Sequence, residues 1–218
     1  MLRDQASGTL TLTVNEIYET IQGEGLLAGT PSLFIRLQGC NLRCPWCDQP
    51  ESLGEGGSPL KVEDILSRAR SSRARHAVIT GGEPFLSPGL PTLVKEILEL
   101  GFSVQIETNG TLWNRDLEPF APSVHITCSP KGVAGYYTHP SVLKFARELK
   151  FVVDDQLEEE VLLREEFRSH LEAKRVILQP ESNKKEMLEK AFDIQRRLLE
   201  KGFTALVIPQ IHKLIGIP

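Results

Sequence analysis

Short apolar runs alternate with amphipathic stretches along most of this chain. Several of the runs are rich in β-branched residues and apolar at successive positions, which is typical of strands buried on both faces of a parallel sheet. The stretches between them repeat apolar residues at three- and four-residue steps, which indicates helices. Strand and helix in this order predict an α/β fold with a parallel sheet. The predicted strands are residues 33–37, 77–80, 103–107, 124–127, 150–153, 176–179 and 205–208.

Four helices follow from the same periodicity. The second has the clearest ends, with Ser87 as a candidate N-cap, Pro88 in its first turn and Gly101 after its last apolar residue. Gly202 ends the fourth helix. A Gly-, Pro- and Ser-rich stretch at 49–59 predicts a loop. The predicted helices are residues 62–69, 90–98, 158–170 and 184–201, and the acidic run at 158–160 predicts a solvated helix face.

The length of the chain limits which α/β architectures it can form. An eight-stranded (β/α) barrel needs about 250 residues, and this chain has 218. A partial, open (β/α) barrel of about six parallel strands fits the count, with the cysteine-bearing loop at its C-terminal mouth. An open doubly wound sheet is the alternative. We expect a single domain over residues 1–218, in which the polar residues 1–8 are a frayed end.

Polar or glycine-rich runs follow each predicted strand. Chemistry in parallel α/β folds gathers at the carboxyl ends of the strands, so these runs are expected to line one cavity. They are residues 39–40, 80–84, 107–110, 128–131, 154, 179–182 and 209–212.

Composition excludes some classes of partner. Charged residues make up 25% of the chain, apolar residues 40%, and the net charge is −4, as in an ordinary soluble globule. No basic patch stands out, so we expect no nucleic-acid partner. No apolar run approaches the length of a membrane span, so we expect no membrane partner. The chain shows no secretory signal and has only four cysteines, which predicts a reducing compartment, the cytoplasm.

Three of the four cysteines form a C-x3-C-x2-C run at Cys40, Cys44 and Cys47. Three thiolates on one loop can hold three irons of a four-iron, four-sulfur cluster and leave the fourth iron open to a small molecule. A zinc knuckle is an alternative, but its only candidate fourth ligands are Asp48 and distant histidines such as His76. A disulfide with a spare thiol fits poorly in a reducing compartment. Cys128 reads as a small buried residue at a strand end.

The Gly81-Gly82-Glu83-Pro84 run follows the second predicted strand. Glycine lets a ligand approach the backbone closely, and exposed N–H and C=O groups could hold a zwitterionic amino acid. A tight turn between strand and helix is the alternative interpretation.

The cysteine run and the Gly-Gly-Glu-Pro run together resemble the radical S-adenosylmethionine superfamily. A longer ordered set resembles the 7-carboxy-7-deazaguanine synthase family and spans nearly the whole chain. Each late motif is weak alone, but the ordered set is specific. The set comprises residues 17–25, Gly29, Pro31, Phe34, Arg36, and residues 39–42, 80–84, 107–110, 129–131, 178–180 and 209–213.

The resemblance implies a carbon–nitrogen lyase. Its substrate would be 6-carboxy-5,6,7,8-tetrahydropterin, and its product 7-carboxy-7-deazaguanine, formed with loss of ammonia on a route to deazapurines such as queuosine. The implied cofactors are a four-iron, four-sulfur cluster and S-adenosylmethionine, with magnesium as a third candidate. The implied partners are an external electron donor, flavodoxin-like or ferredoxin-like, and a second copy of the chain in a homodimer.

The resemblance also assigns site residues. Cys40, Cys44 and Cys47 would bind the cluster. S-adenosylmethionine would contact Trp46, Asp48, Gly82, Ser129, Pro130, Lys131, Gln179, Pro180, Glu181 and Ser182. The pterin would contact Gln22, Gly23, Glu24, Arg36, Thr80 and Pro218.

Arg36, from this set, and Gln49, which follows Asp48, each carry an argument of their own. Arg36 is a charge in an apolar strand, so it is either a snorkelling surface arginine or a bidentate partner for the substrate carboxylate. The family usually places a threonine or serine hydroxyl for magnesium where this chain has Gln49. The longer amide side chain moves the ligand point, which predicts a weak or absent magnesium requirement. His212 is the one histidine that we place at the cavity rim.

Two other functions remain open at this point. A glycyl-radical enzyme activase would share the cysteine run but needs a groove for a partner polypeptide, whereas Gln22, Gly23, Glu24 and Arg36 fit a small carboxylated heterocycle better. A zinc-stabilised binding module without catalysis is the second alternative.

Overall fold

The chain is an α/β protein with a mostly parallel sheet that is not closed, which confirms the predicted fold class. Its structure is a computed structural model that describes residues 10–217. These residues form two compact units. The first unit comprises residues 10–20, Pro31–Thr108 and Leu112–His125, and the second comprises Ile21–Thr30, Asn109–Thr111 and residues 126–217.

The first unit is built on a sheet whose strand order is β3-β1-β2-β4-β5. Strands β2 and β4 pair in parallel, as do β4 and β5, whereas β1 and β3 are antiparallel. Its elements are β1 (Thr11–Ile21), β2 (Pro31–Leu37), β3 (Ser58–Lys61), α1 (Val62–Ser71), β4 (His76–Gly81), α2 (Leu90–Glu99) and β5 (Ser103–Thr108).

Helices α1 and α2 bury the apolar faces that their sequences predict. Gly101 follows α2 with φ +81°, a left-handed conformation that ends the helix. The predicted N-cap was wrong, because Gly89 and not Ser87 caps α2. A short 3-10 turn, Pro84–Leu86, ends at Ser87, and Ser87 accepts the amide N–H of Leu90 through its carbonyl at 3.1 Å.

The second unit carries four strands in the order β6-β7-β8-β9. All three neighbouring pairs are parallel. Phe151 meets Phe167 edge-on, with ring centroids 5.2 Å apart, in the core of this unit. The elements are β6 (Val124–Cys128), α3 (Pro140–Phe145), β7 (Ala146–Val153), α4 (Glu159–Leu162), α5 (Glu165–Glu172), β8 (Val176–Pro180), α6 (Lys185–Glu200), β9 (Leu206–Val207) and α7 (Ile211–Ile215).

The helix predicted at 158–170 is two helices, α4 and α5, which break at Leu163 and Arg164. The prediction that its acidic run is solvated was wrong for Glu159. That carboxylate is buried and forms ion pairs with Arg197, at 3.0 Å, and with Lys201. Basic side chains of α6 therefore compensate the burial of this charge.

The seven predicted parallel strands all form, one more than the barrel estimate of about six. Strands β1 and β3 were not predicted, and β3 begins inside the stretch assigned to a loop. Within residues 10–217, no helix is both long and apolar enough to cross a lipid bilayer.

Candidate active site

The cysteine loop begins where β2 ends. Within the described residues, Cys40, Cys44 and Cys47 form no disulfide, and each is partly exposed. Main-chain hydrogen bonds anchor the start of the loop. Gly39 donates its amide N–H to the carbonyl of Ser52 at 2.8 Å, and Cys40 donates its amide N–H to the carbonyl of Leu53 at 3.1 Å. The three thiols are therefore held on one anchored loop and remain accessible to a metal.

The sulfur of Cys40 has a local hydrogen-bond donor. The amide N–H of Leu42 donates to Cys40 Sγ at 3.4 Å. Burial raises the pKa of the Cys40 thiol, and this N–H opposes the rise. A donor directed at sulfur favours the thiolate, which is the form that binds metal.

Gly82 lies directly against the start of the cysteine loop. A Cβ on Gly82 would stand 2.2 Å from the carbonyl oxygen of Gly39 and 2.7 Å from the Cβ of Cys40. The next residue, Glu83, donates its amide N–H to Gly39 at 2.8 Å. Glycine is therefore required at this position by the close approach of two protein backbones, a reason that neither interpretation of the sequence gave.

Glu83 links the ends of β4 and β5. Its buried Oε1 accepts the amide N–H of Phe85 at 3.0 Å and the hydroxyl of Thr108 at 2.7 Å. The loop that follows β4 is thus tied to the neighbouring strand as well as to the cysteine loop.

Arg36 is buried and belongs to a partly buried polar network in the first unit. Its Nε donates to Glu16 Oε1 at 2.6 Å, and its Nη2 donates to the Tyr18 hydroxyl at 2.9 Å. Its register partner is Thr80, whose hydroxyl donates to Glu107 Oε2 at 3.0 Å. The snorkelling interpretation is wrong, because the guanidinium head is buried with the stem.

In the second unit, Gln22, Gly23 and Glu24 lead into the 3-10 turn Gly25–Leu27. The side-chain oxygen of Gln22 accepts the amide N–H of Glu24 at 3.0 Å. The carbonyl of Gly23 accepts the amide N–H of Ile211 at 2.9 Å. A Cβ on Gly23 would stand 2.1 Å from His212 Nδ1, so the segment after β9 packs directly on this residue.

The Glu24 carboxylate is held at both oxygens. Lys150 Nζ donates to Oε2, and Gln210 Nε2 donates to Oε1 at 2.6 Å. Burial alone would raise the pKa of Glu24, but the charge of Lys150 and the hydrogen bonds from Lys150 and Gln210 outweigh it. The pKa therefore lies well below its usual range.

Polar residues also follow β6 and β8 in this unit. After β6, Lys131 Nζ donates to Ser129 Oγ at 2.8 Å. At the end of β8, Gln179 is only 4% exposed, and its Oε1 has no hydrogen-bond partner among the described residues. Ser182 adopts a left-handed φ of +50°, and Glu181 pairs with Lys184 at 2.5 Å.

Known proteins match this chain over almost its whole length. It is 58% identical over 214 residues to 7-carboxy-7-deazaguanine synthase of Aquifex aeolicus (strain VF5), a match that covers 98% of each chain. The chain belongs to the 7-carboxy-7-deazaguanine synthase family. The enzyme of that name from Methanospirillum hungatei JF-1 is 34% identical over 223 residues, with 98% of this chain and 88% of that protein covered.

Two further comparisons agree with this family. The family model of the Radical SAM superfamily matches residues 34–138. The crystal structure of QueE from Escherichia coli matches with a TM-score of 0.71 at 29% identity, over 92% of this chain and 95% of that one. The open (β/α) architecture predicted from the sequence is therefore that of a solved relative.

Membership of the radical S-adenosylmethionine superfamily implies a four-iron, four-sulfur cluster and S-adenosylmethionine, and the residues present fit both. The donor set for the cluster is three partly exposed thiols on an anchored loop, with an N–H directed at one sulfur. The buried, unpartnered oxygen of Gln179 fits a ligand that donates a hydrogen bond.

The predicted site residues fall in both units, and their roles stay predictions. The first unit holds the cysteines, Trp46, Asp48, Gln49, Gly82, Arg36 and Thr80, and the second holds residues 22–24, 129–131 and 179–182. Pro218 lies outside the described residues. Cys128 is buried at the end of β6, as predicted.

Sequence reasoning assigned no individual role to several residues that hold the predicted contacts in place, although Gln210 lies in a run that was expected to line the cavity. Glu16 and Tyr18 surround Arg36, while Lys150 and Gln210 surround Glu24. Lys150 did carry a signal, because it is a charge directly before the apolar run 151–153 of β7. Nothing in its local pattern names Glu24 as its partner.

Proposed function

We propose that this chain converts 6-carboxy-5,6,7,8-tetrahydropterin into 7-carboxy-7-deazaguanine, with loss of ammonia. The observation that carries the proposal is the 58% identity, over 98% of both chains, to a protein of that name. The segment at residues 22–24 and the accessible cysteine loop after β2 supply, respectively, polar groups for a small substrate and ligands for a cluster.

When bound, the cluster and S-adenosylmethionine supply a 5′-deoxyadenosyl radical that can abstract a hydrogen from a substrate carbon. The protein supplies binding, orientation and exclusion of side reactions. We assign Cys40, Cys44 and Cys47 to the cluster. This chain's own contacts to S-adenosylmethionine would be Trp46, Asp48, Gly82, Ser129, Pro130, Lys131, Gln179, Pro180, Glu181 and Ser182.

The chemistry of these side chains suits their assigned ligand. Gln179 Oε1 is a buried acceptor, and the hydroxyls and amino group of an adenosine are donors. Lys131 is a cation that already holds the Ser129 hydroxyl in place, and together they offer positive charge and a hydroxyl to an anionic group. Gly82 presents bare backbone to the methionyl end.

We assign recognition of the pterin to side chains that complement its own donors and its own charge. The aminopyrimidinone edge of a pterin presents N–H donors, which suit the ionised carboxylate of Glu24 and the amide of Gln22. The substrate carboxylate suits Arg36, because Glu16 and Tyr18 use only its Nε and Nη2 and the fork has further N–H groups. Thr80 would add a hydroxyl contact, and Gly23 gives close access to the backbone.

The remaining assignments concern the surroundings of the reaction. We propose an external flavodoxin-like or ferredoxin-like electron donor, a homodimer, and a cytoplasmic location. They rest on the family alone. An activase acting on a partner protein is not proposed, because full-length relatives carry the name of a synthase.

The decisive experiment is anaerobic turnover. Reconstituted protein is incubated with S-adenosylmethionine, dithionite and the carboxytetrahydropterin, and product is followed by absorbance and mass. We expect 7-carboxy-7-deazaguanine with release of ammonia. Iron-bound protein that cleaves S-adenosylmethionine yet leaves the pterin unchanged would contradict the proposal, and zinc in place of iron would favour the binding module.

A further inference from the structure

Strand β7 presents two charged side chains to the turn that carries Glu24. Glu148 and Lys150 are two residues apart, so both project from the same face of the strand. Glu148 is fully buried. It accepts the amide N–H of Leu26 at 2.7 Å and the hydroxyl of Thr127 at 2.6 Å. One of the two side chains therefore binds the backbone of the turn directly.

The backbone of the turn is fitted closely to Glu148. Gly25 has φ +70°, and a Cβ there would stand 2.5 Å from Glu148 Oε1. A side chain at this position would thus meet both backbone strain and a clash. The turn is held against β7 at one position relative to Glu148, which places the neighbouring Glu24 within reach of Lys150.

Lys150 and Gln210 fix the Glu24 carboxylate from two directions. Lys150 binds Oε2, and its side chain is only 7% exposed against 13% for that of Glu24. Gln210 binds Oε1 at 2.6 Å. The main chain of Gln210 is itself held by the Asn183 side chain. Asn183 Oδ1 accepts the main-chain N–H of Gln210 at 2.8 Å, and Asn183 Nδ2 donates to the main-chain carbonyl of Gln210 at 2.9 Å. The orientation of the carboxylate is therefore set by residues on both sides.

Each member of the ion pair depends on the other. Burying an ammonium or a carboxylate without its partner is costly, whereas the intact pair contributes little net stability compared with apolar residues. Such a pair is better explained by the geometry it imposes. Each carboxylate oxygen also has a second lone pair, so Glu24 can still accept from a ligand while it is bound to Lys150 and Gln210.

We propose that Lys150 is a positioning residue for pterin binding, which holds the Glu24 carboxylate aimed at the aminopyrimidinone edge of the substrate. This proposal rests on the proposed function, because it takes the pterin as the ligand of Glu24. Lys150 itself does not touch the substrate. Its effect on affinity is exerted through Glu24 and disappears when Glu24 no longer carries a charge.

The test is a double-mutant cycle on ligand affinity. Binding of fluorescent 6-carboxypterin is measured anaerobically in cluster-loaded protein with S-adenosylmethionine present, for wild type, Lys150→Met, Glu24→Gln and the double variant. We expect Lys150→Met to weaken binding at least about tenfold, because a buried charge loses its partner. The double variant should bind about as well as Glu24→Gln alone.

Two further variants separate positioning from general destabilisation. Lys150→Arg keeps the charge and should restore most of the affinity. Lys201→Met is the matched control, because Lys201 also pairs with a buried glutamate of the second unit, Glu159, while Arg197 remains bound to it. We expect this control to bind the pterin like wild type. Thermal unfolding confirms that each variant is folded.

The outcomes are distinct. The inference is overturned if Lys150→Met binds the pterin like wild type, or if the losses in the double variant are the product of the two single losses. Wild-type protein that cleaves S-adenosylmethionine but neither binds the pterin nor forms the deazaguanine would overturn the proposed function, and this inference with it.

Discussion

Gly82 and Cys40 come from loops that follow different strands, yet a Cβ on Gly82 would approach the Cβ of Cys40 to 2.7 Å. The backbone of the loop after β4 thus packs against Cys40 with no room for a side chain between them. One packing arrangement therefore fixes both the backbone at Gly82 and the position of Cys40, to which we assign a cluster iron.

Gly82→Ala is expected to impair cluster binding. The methyl group must displace either the carbonyl of Gly39 or Cys40 itself, so reconstituted protein should retain fewer than about four irons per chain and cleave less S-adenosylmethionine. Iron analysis and the yield of 5′-deoxyadenosine measure both effects. Gly54→Ala is the control, because a Cβ at Gly54 meets nothing within 4 Å. Normal iron content in Gly82→Ala would contradict the expectation.

Arg36→Lys is expected to weaken substrate binding more than it weakens the fold. Lysine keeps the charge near Glu16 but cannot present two parallel N–H groups to a carboxylate. We expect the pterin KM to rise about tenfold, the equivalent of roughly 1.4 kcal/mol, with kcat changed much less. Arg70→Lys, in the exposed ion pair with Glu63, serves as the control. A KM that stays unchanged would assign Arg36 to structure alone.

Magnesium is expected to have little effect on turnover. The carbonyl oxygen of Gln49 accepts the amide N–H of Ser52 at 3.0 Å and its hydroxyl at 2.8 Å, which fixes the backbone at this position. The side chain is a long amide where the family usually has a hydroxyl. Turnover should survive stringent chelation, and Gln49→Thr should acquire a magnesium response. Loss of all activity on chelation of the wild type would refute this expectation.

Two buried histidines are expected to make stability fall on mild acidification. Burial lowers the pKa of His76, against the hydrogen bond that its ring donates to Gln105 Oε1, and it also lowers the pKa of His170. Both rings are therefore neutral in the fold, while the unfolded chain takes up protons near pH 6.5. The free energy of unfolding therefore keeps the full contribution of the two neutral rings above that pH. It declines as the pH falls below that value, because the unfolded chain then binds more protons than the fold.

The measurement is the melting temperature of reconstituted protein between pH 7.5 and pH 5.5. A variant with His76→Gln and His170→Gln should start from a lower melting temperature and lose less of it over this range than wild type. Parallel pH profiles for the two proteins would show that these histidines do not titrate on unfolding.

Much of the fold was predictable because its signals are local. The seven parallel strands are apolar at successive positions, and the ends of α2 and α6 are marked by Gly101 and Gly202. Strand β1 was missed because one of its faces is partly exposed and polar. The break between α4 and α5 was missed because neither glycine nor proline marks it.

In the candidate site, too, the local patterns were predictable and the long-range contacts were not. The cysteine run is a short-range pattern that can be read directly from the sequence. The ion pair between Lys150 and Glu24 joins residues 126 positions apart, and the bond from Gln210 to Glu24 joins residues 186 positions apart. No periodicity in a sequence records which distant charges will meet.

The long span between Glu24 and Gln210 has a consequence for the order of events during synthesis. A ribosome that has completed β1 through β8 has not yet made Gln210. Glu24, near the start of the chain, therefore cannot gain its hydrogen bond from Gln210 until one of the last segments has been synthesised. A premature stop codon after α6 would leave the cysteine loop and most of the sheet encoded. The truncated product would lack the amide that binds Glu24 Oε1, so we expect it to bind the pterin less well than the full chain.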